Sequence, residues 1–569
     1  MSYLKSRCDQ PLVDVTLGQL LDDTAAKWPE REAYVFRKQG LRITFPELKE
    51  QANQLAAGLM SIGVGRGDVV GWVMSTRPEW IALCFAVSKI GAIAMPLSPE
   101  YFLWTSNNKE ITEHALQKAK LKVLVMENHP ASEHFEGTVP FLFKMFPETM
   151  SSNSRDLAIE KVPSLSSIVI IGDRTHENVF YHLEDMKTAV LDDTAGKRLQ
   201  LAQRQTDCHD TVFLTFTSGS TGVPKCVEHS SHTLINNSGL HAKTIGMNNK
   251  NMVLHSIDLT EFPWAFLFSL TEGCTLVLPS DTPPTASEVL SALLEERCEA
   301  TSFMYVKTLH DLVNDPELKT FDLTFLEQVT VGGNVVSKRL QQDAATVFPN
   351  ADILTLYGTT ETLHLATTIA DMTDVQRQST VGHLLPHLEM KLVDRHGQIV
   401  PLQHEGEVWV RGYSVFKCYR GDEEKTAEAK TAEGWYKTGD IGILDENGLL
   451  KIVGRIKDVI LKNAEIVYPA MVERVLQTHP KVLDVKVVGV PDPANVEEIC
   501  ACIILKNGHT LQSQEMREHS EANGLLEEFT PGYFVFMKSF PKTSTGRKVD
   551  RKRIRALAMQ MLALQEDDL

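Results

Sequence analysis

Helix and strand patterns alternate along almost the whole chain, and this alternation restricts the fold more than any other feature. Thr44 and Glu47 form a capping box ahead of a helix whose apolar residues recur on one stripe. Apolar runs at residues 69–74 and 168–173 predict strands, and a further helix is predicted from Glu79. Such alternation indicates an α/β fold in which helices cover largely parallel sheets.

The chain has 569 residues, too many for one hydrophobic core, so several subdomains are expected. A boundary is predicted at 454–458. The region 1–454 is expected to be a large N-terminal domain of layered sheets and helices. The region 459–569 carries a helix pattern followed by two strand patterns, which predicts a small α+β C-terminal domain. Scattered Pro, Ser and Asn residues predict a surface insertion at 128–165.

The composition of the chain limits the classes of molecule that it is expected to bind. The formal net charge of −17 argues against nonspecific binding of nucleic acids or anionic membranes, and it means that any polyanionic ligand would need a locally basic site. Nine cysteines without a CxxC pair indicate reduced thiols. Cys500 and Cys502 are expected on opposite faces of one strand, which would exclude them as a metal-binding pair.

Targeting signals are weak. The first ten residues contain no apolar signal-peptide core, and acidic Asp9 comes early for a transit peptide. The most apolar stretch, residues 80–97, is interrupted by Lys89 and Pro96 and is too short to span a bilayer. The cytoplasm is therefore the expected location, and no transmembrane segment is predicted.

Residues 217–225 (TSGSTGVPK) combine the features of a phosphate-binding loop. Hydroxyls donate hydrogen bonds, glycines let backbone N–H groups approach an anion, and lysine adds a positive charge. The apolar run VFLTF precedes the loop, which predicts a position at the carboxyl end of a buried strand, where open α/β sheets bind ligands. The spacing differs from that of a P-loop. The candidate residues are Thr217, Ser218, Gly219, Ser220, Thr221, Gly222 and Lys225.

Four further motifs follow in order: YGTTE at 357–361, GWYKTGD ending at Asp440, GRIKD at 454–458 and PKTSTGRK at 541–548. With the phosphate loop they resemble the adenylate-forming (AMP-binding) superfamily of acyl-CoA synthetases, peptide-synthetase adenylation domains and beetle luciferases. The segments VVGVPD, EEICACIILK and HTLINNSG are most similar to the animal medium-chain acyl-CoA synthetase branch. Mitochondrial relatives in that branch make the mitochondrion the alternative location.

The resemblance implies a two-step reaction. A carboxylic acid and ATP give acyl-AMP and pyrophosphate, and the thiol of CoA then displaces AMP. The first step brings the negative charges of a carboxylate and the α-phosphate together, so it needs cations and positioned donors. Lys225 and the hydroxyls of 217–221 are implied to hold the β- and γ-phosphates. Glu361, with Thr217, is implied to hold Mg²⁺.

The remaining roles also come from the resemblance. Tyr357 is implied to stack on adenine, Thr360 to reach the α-phosphate, and Asp440 to accept hydrogen bonds from the ribose, with Arg455 nearby. The nucleotide site is implied to include Gly333, Gly358 and Thr359 as well, and Lys457 is implied to be the pivot of a hinge over 455–458. Taken alone, Glu361 has the position of a helix N-cap, Tyr357 that of a core residue and Asp440 that of a turn residue.

The catalytic lysine of the family has two candidate positions here. A one-residue insertion after Gly546 aligns Lys548 and Val549 with the family's lysine and its aliphatic neighbour, and we favour Lys548. An ungapped alignment places Arg547 at the lysine position instead. The basic run that follows is interpreted as a solvated helix face rather than a nucleic-acid-binding segment.

The chain departs from the family at several glycines. Cys226 follows the phosphate-loop lysine, Cys418 precedes Tyr419, and Val496 precedes the glutamate at 497, where the family has glycine. Residues 463–466 are Asn-Ala-Glu-Ile rather than Gly-Gly-Glu-Asn. Glycine serves where φ is positive or where backbones approach closely. Because the family uses the loop at 462–466 in the thiol step, acyl-AMP formation is the firmer expectation.

The acyl pocket also departs from the family. In the segment 255–266, one of Asp258, Thr260 and Glu261 could occupy the gate, or the acids could face solvent in a loop. An acid in the pocket would disfavour a plain alkyl chain.

The sequence thus predicts an ATP- and Mg²⁺-dependent acid–CoA ligase of fatty acid and lipid metabolism that acts on a medium-chain fatty acid. Its partners would be small molecules, and no oligomeric state is indicated. One alternative is an acid-adenylating enzyme with another acceptor, such as a carrier protein, an amine or, as in luciferases, oxygen. The other is a nucleotide-binding protein that has lost turnover.

Overall fold

The computed structural model describes residues 1–97, 99, 109–130, 136–188, 193–217, 225–247, 251–255, 259, 265–282, 284–303, 306–315, 317–333, 336–462, 465–492, 496–543 and 549–564. The protein divides into two compact units. The large unit comprises Lys5–Leu388 and Arg411–Tyr436, and the small unit comprises Met1–Leu4, Glu389–Val410 and Lys437–Leu569.

The described strands, in chain order, are β1 Tyr3–Lys5, β2 Glu32–Phe36, β3 Leu41–Thr44, β4 Val69–Val73, β5 Ile93–Leu97, β6 Leu121–Glu127, β7 Ser167–Ile171, β8 Tyr181–His182, β9 Thr211–Thr217, β10 Lys225–Ser230, β11 Asn251–His255, β12 Thr275–Leu278, β13 Ala300–Phe303, β14 Gln328–Val331, β15 Asp352–Thr359, β16 Leu363–Thr367, β17 His383–Leu384, β18 Leu388–Val393, β19 Glu405–Gly412, β20 Tyr436–Leu444, β21 Leu450–Arg455, β22 Ile460–Lys462, β23 Glu465–Val467, β24 Val482–Asp492, β25 Val496–Leu505 and β26 Tyr533–Phe536.

The described α-helices are α1 Leu17–Lys27, α2 Phe45–Ser61, α3 Pro78–Lys89, α4 Lys109–Ala119, α5 Thr138–Met145, α6 Glu148–Ser151, α7 Leu183–Lys187, α8 Asp193–Arg204, α9 Ser231–Thr244, α10 Phe268–Glu272, α11 Ala286–Glu296, α12 Val306–Val313, α13 Lys338–Val347, α14 Asp374–Ser379, α15 Glu423–Ala429, α16 Pro469–Leu476, α17 Ser513–Ala522 and α18 Arg551–Leu562. Short 3₁₀ turns lie at Ala265–Leu267, Leu318–Thr320, Ile456–Asp458 and Glu527–Phe529.

Two sheets organise the large unit. One has seven strands in the order β10-β9-β5-β4-β6-β7-β8, and the other has nine in the order β17-β16-β15-β14-β13-β11-β12-β2-β3. Within each sheet the central strands pair in parallel, whereas β10, β16, β17 and β3 pair antiparallel at the edges. The prediction of largely parallel sheets is thus correct for this unit.

Helix α2 forms as its sequence predicts. The Thr44 side chain accepts from the Glu47 backbone N–H, and the Glu47 carboxylate accepts from the Thr44 N–H at 2.8 Å, which completes the capping box. Leu48, Ala52 and Leu55 on its apolar stripe are almost fully buried in a hydrophobic core cluster of the large unit that also contains Trp72 and Phe85. This helix therefore covers the sheets through the face that periodicity indicates.

The segment 128–165 was expected to be a surface insertion, and this expectation is wrong for its described residues. Helices α5 and α6 lie within it, and Leu142, Phe146 and Val162 are fully buried in the second core cluster of the large unit. Scattered prolines and serines terminate the short helices here, but the apolar residues between them still fill the core.

The small unit contains two sheets, one in the order β1-β18-β19-β20-β21 and the other in the order β23-β22-β25-β24, with β26 beside β25. The expected helix and two strands of the C-terminal region are α16, β24 and β25. The expectation for Cys500 and Cys502 is wrong, because residues two apart on a strand share a face. Both thiols lie in one apolar cluster, whereas Ile499 and Ala501 lie in another.

Among the described helices, none is both long enough and apolar enough to cross a membrane.

Candidate nucleotide site

The phosphate-loop segment lies between the two strands of a hairpin. Strand β9 ends at Thr217 and strand β10 begins at Lys225, and these two residues are opposite partners in the antiparallel register. The ends of the segment are thereby held together at the carboxyl end of a buried strand, as predicted. The predicted site residues Ser218, Gly219, Ser220, Thr221 and Gly222 lie outside the described residues.

Lys225 and Glu361 are brought together through a tyrosine that the sequence prediction did not include. The Lys225 ammonium lies 4.5 Å from the centre of the Tyr419 ring. The hydroxyl of Tyr419 donates to Oε1 of Glu361 at 2.8 Å. A cation, an aromatic ring and a carboxylate thus form one row, which we call the Lys225–Tyr419–Glu361 row.

Tyr419 reaches this place because its segment runs beside β10. The Arg420 N–H donates to the Cys226 carbonyl, and the Glu228 N–H donates to the carbonyl of Cys418. A β-bridge pairs Val227 with Tyr419. Burial, followed by the Glu361 carboxylate, raises the pKa of Tyr419, so its hydroxyl stays protonated and acts as a donor. The only signal for Tyr419 in the sequence was its place at the end of a family motif.

Glu361 lies in a tight turn between β15 and β16. The Thr359 carbonyl accepts from the Thr362 N–H, and the Thr362 hydroxyl accepts from the Thr359 N–H at 3.2 Å. No helix begins here, so the interpretation of Glu361 as an N-cap residue is wrong. Tyr357, in the same strand, is half-buried rather than part of the core. The turn therefore presents Thr360 and Glu361 at its tip.

Two predicted glycines have physical reasons for lacking a side chain. A Cβ on Gly358 would lie 1.8 Å from the Leu363 carbonyl oxygen, across the β15–β16 hairpin. Gly333, which follows β14, has a φ of 79°, a conformation that favours glycine. Both residues therefore permit backbone geometry that larger residues would disrupt.

A buried histidine supports the turn from behind. His229, at the end of β10, donates from Nε2 to the Thr360 carbonyl at 2.8 Å. Burial lowers the pKa of His229 to about 4, so the ring is neutral near pH 7. The Phe416 N–H donates to the Glu361 carbonyl, and this fixes the next peptide. No local pattern in the sequence indicated His229.

In the small unit, Asp440 and Arg455 form an ion pair across two neighbouring strands. They are direct partners in the β20–β21 register, and Arg455 Nε lies 2.7 Å from Asp440 Oδ1. The Asp440 side chain is 3% exposed, whereas that of Arg455 is 48% exposed. The predicted proximity of the two residues is thus observed, and Asp440 is more buried than an ordinary turn residue.

The predicted hinge, 455–458, follows β21 and includes the 3₁₀ turn Ile456–Asp458. Asp458 lies 3.7 Å from the Arg551 guanidinium, which also binds Glu473 at 2.7 Å and donates to the Val487 carbonyl. Lys457 lies on the exposed side of this turn. The last part of the hinge is therefore tied to the C-terminal helix α18 through Arg551.

Lys548 and Arg547, the two candidates for the catalytic lysine, lie outside the described residues. The chain on either side of them is fixed. A β-bridge pairs Lys542 with Val549, and the Asp550 N–H donates to the Pro541 carbonyl at 2.9 Å. Lys542 and Val549, which flank the segment 543–548, are therefore held next to each other.

Two of the departures from the family carry no backbone strain. Cys226 is a regular residue of β10, and neither it nor Cys418 has a positive φ. Asn463 and Ala464 of the altered loop lie outside the described residues, as do the candidate gate residues Asp258, Thr260 and Glu261.

The donor set at Glu361 fits a magnesium ion. Mg²⁺ prefers one or two carboxylates together with phosphate oxygens and water. Glu361 offers a half-buried carboxylate, and its second oxygen has no hydrogen-bond partner among the residues that the structure describes. That oxygen is therefore available to a cation.

Known families match most of this chain. Residues 21–420 match the AMP-binding enzyme family, and residues 471–547 match the AMP-binding enzyme C-terminal domain. The chain belongs to the AMP-binding enzyme family. The resemblance inferred from the five motifs is thereby confirmed.

Relatives and solved structures agree with this membership. The medium-chain acyl-CoA ligase ACSF2, mitochondrial, of Danio rerio is 32% identical over 573 residues, which cover 99% of this chain and 91% of that protein. The anthranilate CoA ligase AuaEII, solved in complex with anthranoyl-AMP, has a TM-score of 0.80 at 22% identity and covers 98% of this chain and 99% of its own. The amide bond synthetase McbA from Marinactinospora thermotolerans has a TM-score of 0.77 at 25% identity, with 95% and 99% covered.

Membership confirms the predicted fold class, a mixed α/β fold with a large N-terminal and a small C-terminal domain. The protein is an enzyme of this ATP-dependent family, an AMP-forming acid–thiol ligase of the acyl-CoA synthetase kind that acts on small molecules.

Proposed function

We propose that the protein joins a medium-chain carboxylic acid to CoA through an acyl-AMP intermediate. The Lys225–Tyr419–Glu361 row carries this proposal, because it sets a cation and an available carboxylate beside the ends of the phosphate-loop segment. The near-full-length similarity to ACSF2, which is named a medium-chain acyl-CoA ligase, supports a medium-chain acid as the substrate and CoA as the acceptor.

In this proposal, Lys225 and the hydroxyls of residues 217–221 hold the β- and γ-phosphates of ATP. Glu361 and Thr217 would hold Mg²⁺, which would screen the negative charge of the phosphates. Tyr419 orients the Glu361 carboxylate and occupies one of its oxygens, which leaves the other for the ion. The Lys225 ammonium packs against the ring of Tyr419, and this contact restricts where the ammonium can lie.

The same proposal gives roles to the turn between β15 and β16 and to the ion pair on strands β20 and β21. Thr360 donates to the α-phosphate, and Tyr357 stacks on adenine beside Gly333, Gly358 and Thr359. The ribose hydroxyls donate to Asp440, which Arg455 holds in place. His229 acts as a positioning residue, because its hydrogen bond to the Thr360 carbonyl fixes the turn.

In this proposal, the second half-reaction requires a movement of the C-terminal domain. We assign residues 1–454 to the N-terminal domain, 455–458 to the hinge with Lys457 as pivot, and 459–569 to a mobile C-terminal domain. Lys548 neutralises charge in the adenylation transition state, and the C-terminal domain then rotates so that CoA can attack the acyl-AMP carbonyl. The CoA thiol releases its proton to solvent, its sulfur forms the thioester bond with the carbonyl carbon, and AMP leaves with the electron pair of the broken C–O bond.

A different acceptor is the second candidate. The similarity to the amide bond synthetase McbA and the replacement of Gly-Gly by Asn463 and Ala464 both favour an enzyme whose thiol step is altered. Such an enzyme would pass the acyl group to an amine after the same first step.

One experiment separates the two. The full-length protein is incubated with saturated acids from hexanoate to dodecanoate in an ATP–pyrophosphate exchange assay, and then with CoA, an amine or neither. We expect exchange with at least one acid, and thioester with CoA. Amide without thioester would favour the second candidate, and binding of ATP with no exchange for any acid would contradict both.

The catalytic lysine is tested in the same assay. Lys548→Ala should abolish pyrophosphate exchange while leaving thioester formation from supplied acyl-AMP, because the lysine acts on the first transition state. Arg547→Ala is the matched control and should keep exchange. The opposite pattern would show that the ungapped alignment is correct.

For location, we propose the cytoplasm, with the mitochondrion as the alternative, because ACSF2 carries that organelle in its name. Fractionation of cells that express the chain with a C-terminal tag distinguishes the two.

A further inference from the structure

A small cavity lies in the large unit between helix α9 and one face of the nine-stranded sheet. Its polar walls are His241 of α9, Ser302 of β13, Thr330 of β14 and His364 of β16, and Phe268 and Leu356 add apolar surface. The space between these walls admits about one water molecule. Only the end of a ligand, not a whole chain, would therefore lie against all of them.

The strands place this cavity close to the turn between β15 and β16, which holds Thr360 and Glu361. Ser302 and Thr330 are register partners on β13 and β14, so their side chains share a face of the sheet. Thr330 in turn pairs with Leu354, and Leu356 lies two residues further on the same face. Leu356 directly precedes Tyr357, at which the nucleotide motif begins. The cavity therefore lies beside the turn at which, in the proposed function, the carboxylate of the acid meets ATP.

A buried asparagine gives the cavity a fixed wall. The side chain of Asn237, one turn before His241 on α9, donates to the His364 carbonyl at 2.7 Å and accepts from the His364 N–H at 3.1 Å. The rings of His241 and His364 then pack with centroids 4.0 Å apart, and Phe268 packs 5.7 Å from His241. The two histidines are thus built into the wall rather than loosely placed.

His241 has hydrogen-bonding capacity that no described residue uses. Its side chain is buried, and neither ring nitrogen has a hydrogen-bond partner within the described part of the chain. Burial lowers the pKa of His241 to about 3, so near pH 7 the neutral ring offers one N–H donor and one acceptor. Buried polar groups in folded proteins nearly always have a partner, and an unpaired ring facing a cavity indicates a ligand group or a water molecule.

We propose that His241 recognises a neutral hydrogen-bonding group, a hydroxyl or a carbonyl oxygen, at the distal end of the carboxylic acid that the enzyme activates. This inference rests on the proposed acid-activating function and predicts that hydroxy- or oxo-acids are preferred over unsubstituted acids of the same length. An unsubstituted alkyl end would leave both nitrogens of His241 without a partner. A site that hydrogen-bonds a substrate hydroxyl discriminates strongly against the analogue that lacks it.

The charges around the cavity exclude a second carboxylate. Among its described lining residues, none carries a charge at neutral pH, because both histidines are buried and their pKa values are lowered. An ionised distal carboxylate would be desolvated there without a cation. A dicarboxylic acid of the same length should therefore be a poor substrate.

The test compares acids that differ only at the distal end. Octanoate, 8-hydroxyoctanoate, 7-oxooctanoate and octanedioate, together with the corresponding six- and ten-carbon sets, are compared by kcat/KM in ATP–pyrophosphate exchange. In the wild type, we expect the hydroxy- or oxo-acid to exceed the alkyl acid of its set by about tenfold or more in at least one set, with the dicarboxylate the poorest.

Three variants assign the preference to the histidine. His241→Leu should bring the hydroxy-to-alkyl ratio to about one or below, whereas His241→Gln, which keeps a donor and an acceptor, should retain a ratio above one. His182→Leu replaces another buried histidine of the large unit that does not line the cavity, and it should leave the ratio unchanged. Because each ratio compares acids on one preparation, partial misfolding of a variant does not alter it.

The outcomes separate this inference from the function on which it rests. Exchange that is fastest with the alkyl acid in every set, or a ratio that His241→Leu does not change, would overturn the inference and leave the ligase function standing. In that case a water molecule is the partner of His241. Exchange with none of the acids would overturn both.

Discussion

The turn at Glu361 and the strand pair at Asp440 are built in different ways. In the large unit, the turn depends on residues far away in the chain: Tyr419 lies 58 residues from Glu361, and His229 lies 131 residues from Thr360. In the small unit, Asp440 and Arg455 are 15 residues apart and meet through the register of adjacent strands. The turn therefore depends on the assembly of the whole large unit, whereas the pair depends on one hairpin. Changes at the turn should disturb more of the protein.

The largest effect is expected at the carboxylate of the turn. Glu361→Gln should reduce pyrophosphate exchange by roughly 10²–10³-fold, because a preorganised electrostatic contact is lost in the adenylation transition state. The amide still accepts from Tyr419, so the fold should be unchanged by circular dichroism. Glu521→Gln, at an exposed glutamate of α17, is the control. Exchange within twofold of wild type would refute the assignment of the metal ligand.

The two regions can be compared directly through their glycines. Gly358→Ala should destabilise the protein by about 3 kcal/mol or more, because the new Cβ would lie 1.8 Å from the Leu363 carbonyl oxygen. Gly439 precedes Asp440 and has a φ of 71° with open space around it, so Gly439→Ala should cost only about 1 kcal/mol. Thermal unfolding midpoints measure both. Equal shifts would show that the turn is no more constrained than the pair.

Acidic pH should lower the free energy of unfolding through His229, whose neutral ring donates to the Thr360 carbonyl. The pKa of a histidine in an unfolded chain is about 6.5, and that of His229 in the fold is about 4. As the pH falls below about 6.5, the unfolded state takes up protons first, so stability is full above that pH and decreases until the folded-state pKa is reached. At pH 5 the loss from His229 should be about 2 kcal/mol.

The measurement compares the thermal midpoint at pH 7.5 and pH 5. His229→Gln should show a smaller decrease than the wild type, since the titrating ring is gone. His396→Gln, at an exposed histidine, should behave as the wild type. Equal decreases in all three proteins would argue against a neutral, buried His229.

The smallest effect is expected at the hydroxyl that orients Glu361. Tyr419→Phe keeps the ring beside Lys225 but removes the donor to the carboxylate, which should lower kcat/KM for ATP about tenfold. Tyr413→Phe, at a buried tyrosine of the same unit, is the matched control and should change this value little. A larger loss in the control would show that general packing, rather than the row, is responsible.

The difference between the two regions also explains what the sequence could predict. The strand ahead of the phosphate-loop segment and the capped helix α2 follow from short-range patterns, and the structure agrees with both. The proximity of Asp440 and Arg455 was implied by the family resemblance, and the two side chains lie 2.7 Å apart. The five ordered motifs indicated the family, which is confirmed. Tyr419 and His229 were missed because their roles arise from contacts between distant segments. Neither residue type nor local spacing signals such contacts.

Two of the three errors also come from contacts that local patterns do not signal. Residues 128–165 were expected on the surface because proline and serine interrupt every local pattern, yet Leu142 and Phe146 are buried by tertiary packing. Glu361 was given an alternative as an N-cap because helices often follow strands in α/β proteins, but the chain turns directly into β16. The faces of Cys500 and Cys502 were predictable, and that error was one of geometry.

The bridge between Lys542 and Val549 has a consequence for how this family can diverge. A segment whose flanking residues pair with each other can gain or lose a residue without moving the chain outside it, and one extra residue in a segment of this length adds only about 0.1–0.2 kcal/mol of closure entropy. Helix α18 and the Arg551 contacts therefore keep their places while the basic residues ahead of them shift by one position. The insertion that we propose ahead of Lys548 would therefore change the position of the lysine without changing the contacts of α18.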